Sequence, residues 1–145
     1  MEEDARAENP LHKRLGLRPG ITGVVISPPD DDSNPLLPLP AGVSALPQAE
    51  DLATQDGQLD YIHYFARSRA ELTRDFPQLR DRLAPGGSLW ISWIKQSSVR
   101  RSGGLPGDLN ENLIRRMALT SGLVDVKVLA LDQDWSGLKL VVRKH

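Results

Sequence analysis

A chain of 145 residues is long enough for one domain, and its 39% hydrophobic and 26% charged residues, with a formal net charge of −1, are typical of a globular protein. The absence of cysteine excludes disulfides and cysteine-based metal sites. No apolar run approaches the roughly 18 residues of a membrane helix, and the polar start, MEEDARAENP, is unlike a secretory signal. We therefore expect a cytoplasmic protein that does not enter a membrane.

The first stretch of the chain predicts a short helix and a buried strand. Residues 1–8 are expected to be disordered, and 9–145 to form a single α/β domain. The sequence NPLHKRLGL, with Asn9 as N-cap, predicts a helix that ends at Gly16. The run of valine and isoleucine around 21–27 predicts a strand covered on both faces, as in a parallel sheet.

A proline-rich region, residues 28–57, follows this strand. It holds six prolines between positions 28 and 47. Because proline lacks the amide hydrogen and fixes φ, a long helix cannot form there. VSAL at 43–46 predicts a short second strand inside the region.

Strands and helices alternate in the second half. LDYIHYF at 59–65 predicts a strand. A capping box formed by Ser68 and Glu71 then starts a helix, in which Pro77 predicts a kink or a restart. The sequence PGG at 85–87 predicts the end of that helix.

The last third predicts one more strand, one more helix and a hairpin. SLWISWI at 88–94 is interpreted as a strand, and Asp108 as the N-cap of a helix that Gly122 ends. Two alternating segments, LVDVKVLALD and GLKLVVR, predict an antiparallel pair. Because strand–helix–strand units require right-handed crossovers, the whole order predicts a three-layer, Rossmann-like α/β fold with a mostly parallel sheet and a C-terminal antiparallel hairpin.

Three stretches together resemble class I S-adenosylmethionine-dependent methyltransferases. They are LGLRPGITGVVIS at the first strand, LRDRLAPGGSLWISW at the helix, turn and following strand, and the closing hairpin. The chain also resembles a family of small bacterial proteins of unknown function through LGLRPG, LAPGGSLWISWIK and LVDVKVLALDQDWSGLKLVVR. The resemblance implies a reduced methyltransferase-type sheet and no established activity.

The resemblance also implies a cofactor site that this sequence departs from. Methyltransferases of this class hold the cofactor on a glycine-rich loop after the first strand, where glycine allows close approach and backbone amides donate. Here the segment is Ser27-Pro28-Pro29-Asp30, and neither proline can donate. Glu50 or Asp51 stands near the position of the acid that holds the ribose. We therefore predict a degenerate site that takes no cofactor, with S-adenosylmethionine as the alternative.

A candidate ligand pocket follows from the predicted topology, because ligands of parallel sheets bind beyond the carboxyl ends of the strands. Tryptophan offers contact area there, and Lys95 with Asp134 offers a pair of opposite charges. The alternative interpretation is that the tryptophans fill the space of the missing cofactor helix. The candidate pocket consists of Ser27, Phe65, Arg67, Trp93, Lys95, Asp134 and Trp135.

The sequence gives little support for metal binding or for nucleic-acid binding. The three histidines lack metal-ligand spacing, and His63 is interpreted as a core residue. The aspartates at 30–32 match no calcium loop and are interpreted as a solvated turn, so we predict no metal site. Arg100 and Arg101 lie in a basic segment that could grip phosphate, but no aromatic residues interleave with them.

These observations leave catalysis open and favour a non-catalytic binding or regulatory module. The alternative is an enzyme, an atypical S-adenosylmethionine-dependent methyltransferase using a pocket at the carboxyl edge of the sheet. The second alternative, and the least favoured, is weak nucleic-acid association. The partner is unknown; a protein partner, or a homodimer through an exposed sheet edge, is compatible with the pattern.

Overall fold

The computed structural model describes residues 10–55, 57–95 and 108–143. These ranges contain α-helices and strands in the predicted order, together with 3-10 turns at Asp31–Ser33 and Ala49–Thr54. The elements are α1 (Pro10–Leu15), β1 (Gly23–Ile26), β2 (Val43–Leu46), β3 (Leu59–Phe65), α2 (Arg69–Arg82), β4 (Leu83–Ile94), α3 (Glu111–Thr120), β5 (Leu123–Ala130) and β6 (Trp135–Val142).

The strands form one six-stranded sheet in the order β2-β1-β3-β4-β6-β5. β1 pairs in parallel with β2 and β3, and β3 pairs in parallel with β4. β6 then runs antiparallel to both β4 and β5. The predicted mixed sheet, mostly parallel with a C-terminal antiparallel hairpin, is confirmed.

Two hydrophobic layers cover the sheet. One face packs under α2, α3 and the 3-10 turn at 49–54, through side chains such as Leu72, Phe76 and Ile114. The other face has a thinner cover, made by α1 and the proline-rich region, with Leu15 and Leu36 fully buried. The proline-rich region therefore closes the second layer of the core.

Hydrogen bonds attach α1 to this thin layer. The indole Nε1 of Trp90 donates to the carbonyl of Leu15 over 3.0 Å, and Lys127 Nζ donates to the carbonyl of Arg14. His12 Nε2 lies 2.6 Å from the carbonyl oxygen of Leu36. A helix of six residues is too short to persist alone, so these contacts and the burial of Leu15 hold it in place.

Three local predictions need correction. α2 runs through Pro77 without a restart, because Leu72, Phe76 and Leu79 on both sides of it are buried and outweigh one missing hydrogen bond. The PGG turn at 85–87 is instead an irregularity inside β4, where the pairing shifts between Leu59↔Leu83 and Tyr61↔Ser88.

The third correction concerns the start of α3. Its N-cap is Asn110, whose Oδ1 accepts from the amide of Leu113 over 2.9 Å. The carboxylate of Asp108, the predicted cap, accepts from the amide of Arg69 at the start of α2 instead. Both residues can cap a helix, and the tertiary contact decides between them.

Some of the expectations from the sequence concern residues outside the described ranges. They concern disorder at 1–8, the cap at Asn9, and the basic pair Arg100 and Arg101. Within the described ranges, no helix is long and apolar enough to cross a membrane.

Candidate functional site at the carboxyl edge of the sheet

A cleft of about 440 Å³ lies beyond the carboxyl ends of β1, β2 and β3. The chain leaves β1 towards β2 on one side and leaves β3 towards β4 on the other. Such a reversal is the topological switch point at which open α/β sheets bind ligands. The cleft is lined by Ser27, Pro28, Pro47, Gln48, Ala49, Glu50, Arg67, Glu71, Arg74 and Asp75.

Ser27 forms the floor of the cleft in an unusual backbone conformation. Its φ is 56°, in the left-handed region that side chains other than glycine seldom adopt. The amide of Ser27 donates to the carbonyl of Leu46 over 2.9 Å, and its Oγ donates to the carbonyl of Pro47 over 3.1 Å. These bonds tie the ends of β1 and β2 together, so the backbone strain is held by the neighbouring strand.

Arg67 crosses from β3 to the end of β1. Its Nη1 donates to the carbonyls of Ser27 and Phe65, over 2.6 and 2.9 Å. The guanidinium carbon lies 5.7 Å from the centre of the Trp135 ring, within the range of a cation–π contact. The positive charge of Arg67 is therefore fixed in the lining of the cleft.

Asp75, a buried acid on α2, lines one side of the cleft. Tyr64 Oη donates to Asp75 Oδ2 over 2.5 Å, and Arg74 donates to both oxygens of the same carboxylate. Burial alone raises the pKa of Asp75, but the hydrogen bonds from Arg74 and Tyr64 outweigh it and hold that pKa below its ordinary value. Asp75 is thus ionised at neutral pH, and burial, together with the bond to Asp75, raises the pKa of Tyr64.

Glu50 reaches the cleft from the 3-10 turn that follows β2. A capping box between Gln48 and Asp51 closes that turn, and Gln78 of α2 donates to the carbonyl of Ala49 over 2.6 Å. Glu50 itself is exposed. An acid therefore lies in the cleft beyond the end of β2.

The structure brings some of the predicted pocket residues together and separates others. Ser27 and Arg67 line the cleft. The rings of Phe65 and Trp135 meet edge to face at 5.0 Å, beneath Arg67. Trp93 is buried in the other layer, under the helices. The two tryptophans thus lie on opposite faces of the sheet.

Lys95 and Asp134 lie at the same edge but outside the cleft lining. The amide of Lys95 donates to the carbonyl of Asp134 over 2.9 Å. Its Nζ donates to the carbonyl of Asp132 over 2.8 Å, which fastens the end of β4 to the hairpin loop. The bonds of Lys95 described here are thus to backbone carbonyls, and a role for these residues in ligand binding remains a prediction.

Sequence reasoning missed the part of the lining that α2 supplies. The sequence predicts Glu71 only as half of a capping box. In the structure, its Oε1 also accepts from the amide of Arg67 over 3.1 Å. The sequence does not indicate Arg74 and Asp75 as site residues, because a charged pair on a helix usually faces solvent. The available clue was the position of Glu71 in the first turn after a strand end.

A row of aromatic and polar residues runs along β3 towards the cleft. His63 is fully buried, as predicted; its Nδ1 lies 2.9 Å from Tyr61 Oη and its Nε2 lies 2.6 Å from Ser92 Oγ. Burial lowers the pKa of His63 to about 3 and raises that of Tyr61. His63 stacks on Phe65 at 4.6 Å, so this neutral row supports the aromatic base beneath Arg67.

Metal binding finds no support in the part of the chain that the structure describes. Those residues contain no group of three or more histidine, aspartate or glutamate side chains placed to hold an ion. The aspartates at 30–32 lie in a turn beside a second, more open cleft.

Comparison with solved structures defines the class of fold. The chain is similar to the N-methyltransferase NodS from Bradyrhizobium japonicum WM9 (TM-score 0.60, 16% identity, covering 98% of this chain and 97% of that one). It is also similar to magnesium protoporphyrin IX methyltransferase (ChlM) from Synechocystis PCC 6803 with bound SAM (0.61, 15%, 96% and 77%). A third neighbour is the glycopeptide N-methyltransferase MtfA complexed with sinefungin (0.59, 12%, 96% and 92%). The fold is therefore a Rossmann-like methyltransferase fold.

The chain matches no protein-family model and no curated protein sequence. These structural neighbours are 12–16% identical to the chain and share its fold. They contradict the prediction that no cofactor is bound, since neighbours of this fold are solved with SAM, SAH or sinefungin. That prediction treated Pro28 and Pro29 as closing the site, whereas the structure keeps an open cleft beside them.

Proposed function

We propose that this chain is an atypical methyltransferase that binds S-adenosylmethionine in the cleft at the carboxyl ends of β1, β2 and β3. The observation that carries the proposal is the position of the cleft, at the switch point of a sheet with the methyltransferase fold. Its volume of about 440 Å³ falls within the range of small-ligand sites.

The side chains of the cleft fit the chemistry of this cofactor. Glu50 stands beyond β2, where its carboxylate can accept hydrogen bonds from ribose hydroxyls. The carboxylate of Glu71, which lines the cleft, favours a ligand that carries a sulfonium cation. Pro28 and Pro47 offer apolar surface to an adenine ring. The acceptors and apolar side chains of the cleft therefore suit the ribose, the base and the charged sulfur.

The site departs from a glycine-rich one at the end of β1. Pro28 and Pro29 cannot donate amide hydrogens, and the amide of Ser27 is already bonded to Leu46. Side chains must therefore replace backbone amides in holding the ligand, which is why we describe the enzyme as atypical.

When bound, the cofactor supplies a methyl group on a positively charged sulfur for transfer to a nucleophile. The contribution of the chain is binding and orientation. The carboxylate of Asp75, which lines the cleft, is fixed by hydrogen bonds from Tyr64 and Arg74. Fixed side chains place reacting groups at a small entropic cost.

Calorimetric titration with S-adenosylhomocysteine, the product form of the cofactor, tests the proposal. We expect saturable binding with one ligand per chain. Glu50→Gln should weaken it roughly tenfold, the effect of a hydrogen bond to a charged group. Asp81→Asn, which also neutralises an exposed acid but lies outside the cleft lining, is the control and should bind like the parent.

Two results would count against the proposal. If the parent chain shows no heat of binding at millimolar S-adenosylhomocysteine, the cofactor assignment fails. If Glu50→Gln and Asp81→Asn both bind like the parent, the ribose does not lie beside Glu50.

A further inference from the structure

We infer that Arg67 holds the carboxylate of the amino-acid end of the cofactor, replacing the amides of a glycine-rich loop. This inference rests on the proposed function and makes Arg67 a residue that determines specificity. It assigns the site a preference for adenosyl ligands that end in an amino acid over those that lack one.

The guanidinium of Arg67 is anchored before any ligand arrives. Nη1 bonds to the carbonyls of Ser27 and Phe65, and the group lies over Trp135. A guanidinium carries five N–H donors on three nitrogens in a planar fork, so bonds through one nitrogen leave two nitrogens for other partners. Arg67 is thus a preorganised donor that a planar carboxylate matches.

The positive charge of Arg67 has no counter-ion among the described residues. Their ion pairs join Arg74 to Asp75, and Arg115 to both Glu111 and Asp125. Arg74, the other cation of the cleft, already forms an ion pair with the buried Asp75. In the described part of the chain, a ligand carboxylate entering the cleft therefore meets one arginine that forms no ion pair.

Several other groups near the cleft that could bind an anion are already engaged. At the start of α2, the amide of Arg69 donates to Asp108 over 2.8 Å and that of Glu71 to Ser68 Oγ over 3.1 Å. The amide of Ser27 is bonded to Leu46, and the following residues are prolines. A helix N-terminus or a loop of free amides commonly binds an anion. Here we expect Arg67 to bind it instead.

A pair of ligands isolates the interaction. S-adenosylhomocysteine carries the amino-acid end, and 5′-methylthioadenosine keeps the adenine, ribose and sulfur but lacks that end. Binding of both is measured by calorimetry to the parent chain and to Arg67→Gln, Arg67→Lys and Arg69→Gln. Arg69→Gln is the matched control, because Arg69 is exposed on the first turn of α2 and its side chain does not line the cleft.

We expect the parent chain to bind S-adenosylhomocysteine more tightly than 5′-methylthioadenosine. Arg67→Gln should weaken the first ligand roughly 10- to 100-fold, as for loss of a charge-assisted hydrogen bond, and change the second less than about threefold. Arg67→Lys should lie between, since lysine keeps the charge but loses the fork. Arg69→Gln should leave both affinities unchanged.

The outcomes separate this inference from the proposed function. Equal weakening of both ligands by Arg67→Gln would mean that Arg67 only shapes the cleft, and would overturn the inference while cofactor binding stands. Unchanged binding of S-adenosylhomocysteine to Arg67→Gln would overturn it too. Binding of neither ligand to the parent would remove the proposed function itself. Circular dichroism checks folding, and if Arg67→Gln is unfolded, the ratio of the two affinities in Arg67→Lys decides.

Discussion

At the scale of single residues, Ser27 links backbone strain to the candidate site. A residue other than glycine with φ near +56° costs of order 1 kcal/mol, and glycine relieves that cost. We expect Ser27→Gly to be more stable than Ser27→Ala by about 1 kcal/mol, since both variants lose the Oγ bond to Pro47 and only glycine removes the strain. Urea unfolding measures the difference. An alanine variant that equals or exceeds the glycine variant would mean that Ser27 carries no strain.

His63 makes a prediction about pH. Burial lowers its pKa to about 3 in the folded chain, while an unfolded chain keeps the ordinary value of 6.5. Because the unfolded state takes up the proton first, the contribution of His63 to stability is complete above pH 6.5. It is lost as the pH falls towards 3, at up to about 1.4 kcal/mol per pH unit.

The ring signals of His63 test this directly. Its Cε1–H resonance should stay constant between pH 8 and 5 in the folded protein, because the ring remains neutral between Tyr61 and Ser92. The free energy of unfolding should fall over the same interval. A titration of the ring with a midpoint near 6.5 would contradict the buried, neutral assignment.

At the scale of elements, Asp108 and Asn110 accept hydrogen bonds from the first turns of α2 and α3, respectively. Asn110 caps α3, so Asn110→Ala should lower the free energy of unfolding by about 1 kcal/mol. Asn112→Ala makes the same chemical change on the exposed surface of the first turn and should stay within about 0.5 kcal/mol of the parent. Chemical denaturation of both variants measures this; equal effects would show that the cap contributes nothing specific.

Elements whose signals are local could be predicted from the sequence. The strands at 43–46 and 59–65 have the predicted bounds. Gly42 and Pro47 limit the first, and the second is a distinct apolar run that follows Gly57. The start of α3 could not be predicted, because Asp108 and Asn110 are both good caps and a contact with Arg69 chooses between them. Burial of α2 likewise overrides Pro77.

At the scale of the whole molecule, the sequence order predicted the sheet but only part of the site. Topology alone places the strand ends at one edge, and this predicts Ser27 and Arg67 as site residues. The contribution of Arg74 and Asp75 to the cleft depends on how α2 is oriented against Tyr64. That orientation is set by tertiary packing, and the local sequence does not indicate it. The prolines after β1 suggested a closed site, yet their segment packs with α1 over the other face of the sheet and leaves the cleft open.

The most direct test of the central claim is an amide chemical-shift titration of the labelled protein with S-adenosylmethionine. If the cofactor binds at the switch point, saturable shifts should cluster at Ser27, Glu50 and Arg67 and at the first turns of α2. The hairpin strand β5, which lies at the far edge of the sheet, should serve as an internal control with constant shifts. No shifts at millimolar ligand, or shifts confined to surfaces away from the cleft, would contradict the assignment of this cleft as a cofactor site.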